Sequence, residues 1–149
     1  MYLDSCILVK LLAAEPDSEF FMDSLEGQPV VTSELALTEV FSALLARERA
    51  GKISATDRRR AWGELESRVT AGEIRLEPLN SLVLRKARYF LEQCHPKIPL
   101  RTLDAIHLAT ALRVNATAII AYDREVCAAA RTAGIEALSP GHVLPDSSV

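Results

Sequence analysis

The sequence predicts an α/β fold, a three-layer α/β/α sandwich around a central parallel sheet of about five strands. Three observations carry that prediction. Short apolar or β-branched runs alternate along the chain with longer segments of helical period. Strands joined by helices at this spacing belong to parallel sheets covered on both faces. At 149 residues, with 49% hydrophobic and 25% charged side chains, the chain suits one domain on one core and excludes disorder and fibrous repeats.

Met1–Leu3 is a short apolar strand, and Ser5 opens an apolar-rich helix through Leu12. Pro16 and Asp17 restart the chain, and Phe20, Phe21 and Leu25 recur at helical spacing until Gly27 and Pro29 stop it. Val30-Val31-Thr32 is β-branched and suits a second buried strand. From Glu34 to Ala50, Leu35, Leu37, Val40, Phe41, Leu44 and Leu45 keep a helical period that Gly51 closes. Ser54-Ala55-Thr56-Asp57 opens another helix reaching nearly to Gly72, so the two form a hairpin with Trp62 packed in it. Ile74–Glu77 alternates as a strand, and a helix follows over Ser81–Cys94 before Pro96 and Pro99 enforce a loop. Thr102 opens a helix that runs from Leu103 to Val114. Thr117–Tyr122 is β-rich, Asp123–Ala133 is helical up to Gly134, and Ile135–Leu138 is the last strand. Residues 1–140 thus make one domain, and 141–149 a short loose tail.

The longest apolar stretch, Ala105 to Tyr122, is broken by His107, Thr110, Arg113 and Asn115, so no membrane span is expected. Asp4 stands where a secretory signal carries basic residues, which predicts a cytoplasmic protein. Cys6, Cys94 and Cys127 have neither metal-ligand spacing nor an even count, and are expected as free thiols buried like small hydrophobes. The net charge of −3 supplies no positive field to draw in nucleic acid, so such a role needs local patches or metal ions.

Four acids stand at places that matter in such a fold. Asp4 ends the first strand and Asp123 follows Ile119-Ile120-Ala121-Tyr122, so parallel neighbouring strands bring both to one carboxyl edge, where ligands bind in open sheets. Asp104 falls in a helix first turn, within reach of the same crevice. Glu39 sits mid-helix among Leu35, Ala36, Ser42 and Ala43. Singly, each has an ordinary explanation: Asp123 as an N-cap, Asp104 as a dipole partner, Asp4 as a cap, Glu39 as a boundary carboxylate reaching water. Capping does not explain Glu39, and joint placement points to a shared site. Gathered carboxylates repel by about 1–4 kcal/mol per close pair, and a hard divalent cation offsets that. Such an ion can bridge a phosphodiester and activate water, which implies phosphodiester hydrolysis.

Tyr2-Leu3-Asp4-Ser5, the segment Ser33–Val40, the segment Arg101–Ala111 and Ala121-Tyr122-Asp123 resemble the PIN domain, in particular the VapC-type ribonuclease toxins of bacterial type II toxin–antitoxin pairs. The resemblance spans about residues 1–140 with all four acids in order. It implies a Mg²⁺- or Mn²⁺-dependent endoribonuclease acting on RNA and blocked by a cognate VapB-like antitoxin. By position it implies Asp4 and Asp104 as metal ligands, with Glu39 and Asp123 completing the acidic pocket directly or through water. Ser5 and Thr102 match supporting hydroxyl positions that orient a carboxylate or a water.

Arg47, Arg49, Lys52, Arg58, Arg59 and Arg60 cluster around the expected hairpin, and Arg124 adjoins Asp123. Arg58, Arg59 and Arg124 are the candidate RNA contacts; solvated helix faces explain the same charges. His107, three residues after Asp104, reads as a partly buried structural histidine rather than a general base. His95 and His142 lack zinc-ligand spacing. A mean hydropathy of +0.12 predicts that apolar helix surface near the hairpin is covered by a partner, a second copy forming a homodimer or an antitoxin segment. Two other classes compete: a catalytically silent PIN-like protein-binding module, and a phosphoacceptor receiver-type domain. The second gives no reason for Glu39.

Overall fold

Five parallel strands in the order β3-β2-β1-β4-β5 form the central sheet of the computed structural model, which describes residues 1–13, 25 and 28–139. The strands are β1 (Tyr2–Leu3), β2 (Val30–Ser33), β3 (Ile74–Glu77), β4 (Ala118–Ile120) and β5 (Glu136–Leu138). Among the described residues the helices are α1 (Ser5–Ala13), α2 (Leu35–Arg49), α3 (Ala55–Thr70), α4 (Ser81–Cys94), α5 (Thr102–Arg113) and α6 (Arg124–Thr132). The expected helix after Pro16 lies outside the described residues except for Leu25, as does the tail.

Neighbouring side chains on a strand point to opposite faces, and the strand residues divide accordingly. Tyr2, Val31, Ile119 and Ala137 join the core with Val83, Phe90, Leu108 and Val126 of α4, α5 and α6. Leu3, Ile74 and Ile120 join a second core with Ile7, Val40, Leu44 and Leu65 of α1, α2 and α3. Two cores, one per face, produce the three-layer α/β/α sandwich.

The hairpin of α2 and α3 is held by local chemistry. Gly51 adopts φ 69°, which lets Lys52 N–H return to the Arg47 carbonyl at 2.9 Å and close α2. Ser54 and Asp57 form a reciprocal capping box at the start of α3. Phe41 and Trp62 meet edge to face at 4.9 Å between the helices, with Trp62 packed as expected. Leu65, fully buried, ties α3 to the core. Leu65→Ala is expected to lower unfolding stability by about 2–5 kcal/mol in urea denaturation, because the cavity adds to the lost transfer energy. A loss below about 1 kcal/mol would mean the hairpin is not anchored there.

Three expectations change in detail. Thr102 is the first residue of α5 and Arg101 its N-cap, with no side-chain capping bond, so Thr102 does not cap the helix. Cys94 and Cys127 are buried free thiols, but Cys6 is half-buried and donates its thiol to Asp4 rather than acting only as core. The hairpin turns its aromatic rings inward; exposed large apolar side chains such as Leu79, Leu82, Leu84 and Tyr89 lie on α4 and the segment before it. None of the described helices is long and apolar enough to cross a membrane.

Candidate active site

The chain leaves β1 toward β2 and β3 on one side, then crosses back to place β4 on the other side of β1. This reversal opens a crevice beyond the carboxyl ends of β1 and β4. Asp4 follows β1 there, its backbone N–H donating to the Ile120 carbonyl at 3.1 Å and so continuing the pairing with β4. Its buried carboxylate accepts the Ser5 N–H at 2.8 Å and the Cys6 thiol at 3.0 Å.

Glu39 reaches the same edge from α2. Its carboxylate meets Nε2 of His107 at 2.5 Å, and Asp4 stands 3.6 Å from that nitrogen. His107, on α5, is 1% exposed, and its Nδ1 shares a 2.7 Å hydrogen bond with the Tyr2 hydroxyl. The imidazole is therefore fixed from both sides. Tyr2→Phe is expected to cost about 1–3 kcal/mol of stability in urea denaturation, since Nδ1 loses its partner in a dry interior. An unchanged midpoint would show that the ring does not need that hydroxyl.

Asp104 and Asp123 form the other half. Asp104 is buried in the first turn of α5. Asp123 is the N-cap of α6, its Oδ1 accepting from Glu125 N–H at 2.9 Å and Val126 N–H at 3.2 Å. The capping explanation for Asp123 thus holds for one oxygen only. The other, Oδ2, accepts from Arg101 Nη2 at 2.9 Å, while Arg101 Nε donates to Asp104 at 2.7 Å. Four acids distant in sequence are thereby gathered into two linked pairs, one joined by His107 and one by Arg101.

The electrostatics follow from this crowding. Burial raises the Asp4 pKa, and Glu39 pushes it further, against the pull of His107 and the Cys6 thiol. Burial alone would lower that of His107, but the Glu39 hydrogen bond and the charges of Asp4, Glu39 and Asp104 reverse this and raise it. Asp123 is held below the usual carboxylate range despite burial, by hydrogen bonds at the α6 N-terminus and by Arg101. Burial and the nearby Asp4 raise the Cys6 and Tyr2 pKa values, so both stay protonated.

Among the described residues no three His, Cys, Asp or Glu side chains are arranged as a ready-made metal cage. The donor chemistry nevertheless fits a hard divalent cation. The available donors are carboxylate oxygens at one edge, where four acids face only one guanidinium and one imidazole.

The remaining candidates are placed more loosely. Ser5 engages Asp4 through its backbone N–H, and Thr102 is exposed. Arg58 pairs with Glu48 and lies over Phe41, while Arg59 and Arg124 are exposed. Arg101 and the depth of His107's involvement were missed by sequence reasoning. Their signal was spacing: both lie three residues from Asp104, one turn away on the same helix face.

A family model described as the PIN domain matches residues 1–132. Ribonuclease VapC46 of Mycobacterium tuberculosis is 35% identical over 145 residues, covering 94% of this chain and 97% of its own. Ribonuclease VapC47 of the same species is 29% identical over 150 residues, covering 96% and 98%. A solved toxin–antitoxin complex from Klebsiella pneumoniae contains a chain with the same fold, at TM-score 0.60 and 15% identity, covering 95% of this chain and 98% of that one. By these matches the chain belongs to the PIN domain family, among proteins of the VapC type.

Proposed function

We propose that this protein is an endoribonuclease that acts as the toxin of a toxin–antitoxin pair, hydrolysing RNA phosphodiesters at the site made by Asp4, Glu39, Asp104 and Asp123 with Mg²⁺ or Mn²⁺. The observation that carries this reading is the placement of the acids in two pairs, Glu39 and Asp4 on His107 and Asp104 and Asp123 on Arg101, at the switch point of the sheet. The ribonuclease names of its relatives supply the substrate class.

Asp4 and Asp104 are the residues assigned to hold the ion, with Glu39 and Asp123 beside them. A cation held there would supply Lewis-acid polarisation of the phosphodiester and a more acidic water. The chain's own part is to fix and compensate the acids. His107 orients Glu39, the Ser5 N–H and Cys6 thiol orient Asp4, and the α6 amides fix Asp123. Arg124, exposed in the first turn of α6, and Arg59 are assigned to backbone phosphates, with Arg58 less free because of Glu48.

A VapB-like antitoxin is the proposed partner, with a second copy of the chain forming a homodimer, and the cytoplasm the place of action. The full chain incubated with total RNA and Mn²⁺ is expected to generate internal cleavage ends that excess chelator prevents. Cleavage undiminished by chelator, or none in any divalent ion, contradicts the proposal; the latter result favours a silent binding module.

A further inference from the structure

Two basic side chains serve the acidic cluster, and they differ in freedom. His107 is enclosed, held by Tyr2 and Glu39. Arg101 has a side chain 72% exposed and makes its contacts from outside: Nε to Asp104 Oδ2 at 2.7 Å, Nη2 to Asp104 Oδ1 at 3.5 Å and to Asp123 Oδ2 at 2.9 Å. Its backbone is extended at φ −85° and ψ 161°, at the N-cap of α5, so the side chain can turn away without breaking a turn of helix.

The oxygens it occupies are those an ion would need. Asp123 Oδ1 is committed to the α6 amides, which leaves Oδ2, and Arg101 holds Oδ2. Both oxygens of Asp104 face the same guanidinium. Arg101 is 72% exposed and meets these acids from the solvent side, where ion pairs are individually weak, so a divalent cation can displace it. A displaced guanidinium remains tethered beside the site, and its planar fork suits a phosphate as well as it suits a carboxylate.

We infer that Arg101 is a displaceable internal counter-ion: it neutralises Asp104 and Asp123 until the cation enters, then turns to the substrate phosphate. This positioning role rests on the function proposed above. Calorimetric titration of the full chain with MnCl₂ should show Arg101→Met binding Mn²⁺ about 5- to 10-fold more tightly than wild type, with Arg101→Lys between them. In RNA cleavage, Arg101→Met should raise KM by about 3- to 10-fold, the effect of one lost phosphate contact. A merely structural role would weaken both ion and RNA binding. Mn²⁺ affinity in Arg101→Met equal to or below that of a Mn²⁺-binding wild type overturns the counter-ion role alone. A tighter ion with unchanged KM overturns the turn to phosphate. Wild type that takes up no Mn²⁺ overturns the proposed function and this inference together.

Discussion

Asp104→Asn is expected to lower Mn²⁺-supported RNA cleavage by about 10²–10³-fold, the scale on which one preorganised electrostatic group contributes to catalysis. The substitution is nearly isosteric and removes one of four crowded negative charges, so the ion-free fold should persist. Arg101 loses its charge-assisted bond to Asp104, but it keeps Asp123. The loss should therefore appear as chemistry and ion affinity, not as unfolding. Thermal denaturation separates these: Mn²⁺ at about 100 times its Kd should stabilise wild type by about 2.7 kcal/mol and Asp104→Asn by far less. Equal cleavage by the two proteins would remove Asp104 from the catalytic machinery.

His107→Ala should destabilise the protein by about 3–5 kcal/mol in urea, the usual result of removing one partner from a buried ionic pair. It leaves a cavity, removes one hydrogen-bond partner of the Tyr2 hydroxyl and leaves Glu39 and Asp4 facing each other without the imidazole between them. A double-mutant cycle with Glu39→Gln should give about 0.5–3 kcal/mol of coupling, because the second change removes the acid that the first leaves unpaired. The effect has a pH signature in the ion-free protein. The His107 pKa is raised by folding, so its contribution is complete below the unfolded value near about 6.5 and declines as pH rises through the folded value. The stability gap between wild type and His107→Ala should therefore narrow toward alkaline pH. Strictly additive changes, or a gap that widens with pH, would show that His107 is not the charged link between Glu39 and Asp4.

Most of the architecture was legible because it rests on periodicity. The strands Val30–Ser33 and Ile74–Glu77 and the helices α2, α3 and α4 lie close to where apolar spacing and turn residues put them. The acids at Asp4 and Asp123 were legible because parallel strands end on one edge, and Glu39 because a carboxylate on an apolar helix strip needs a partner. That partner was not legible. Nothing in the spacing of Glu39 and His107 along the chain tells that α2 and α5 bring them to 2.5 Å. The dual role of Asp123 was hidden for a similar reason, since a capping residue spends one oxygen locally and its other oxygen answers to a loop 22 residues earlier. Thr102 misled because threonine favours N-caps, while here Arg101 is the N-cap of α5, without a side-chain capping bond, and Thr102 is the first helical residue.

Anomalous diffraction from crystals of the full chain soaked in Mn²⁺ tests most directly whether these carboxylates constitute one ion site. The expected map has a peak in direct coordination with Asp4 and Asp104, with Glu39 and Asp123 reached directly or through water. Manganese found only on scattered surface carboxylates, with the edge between β1 and β4 empty, would contradict the account.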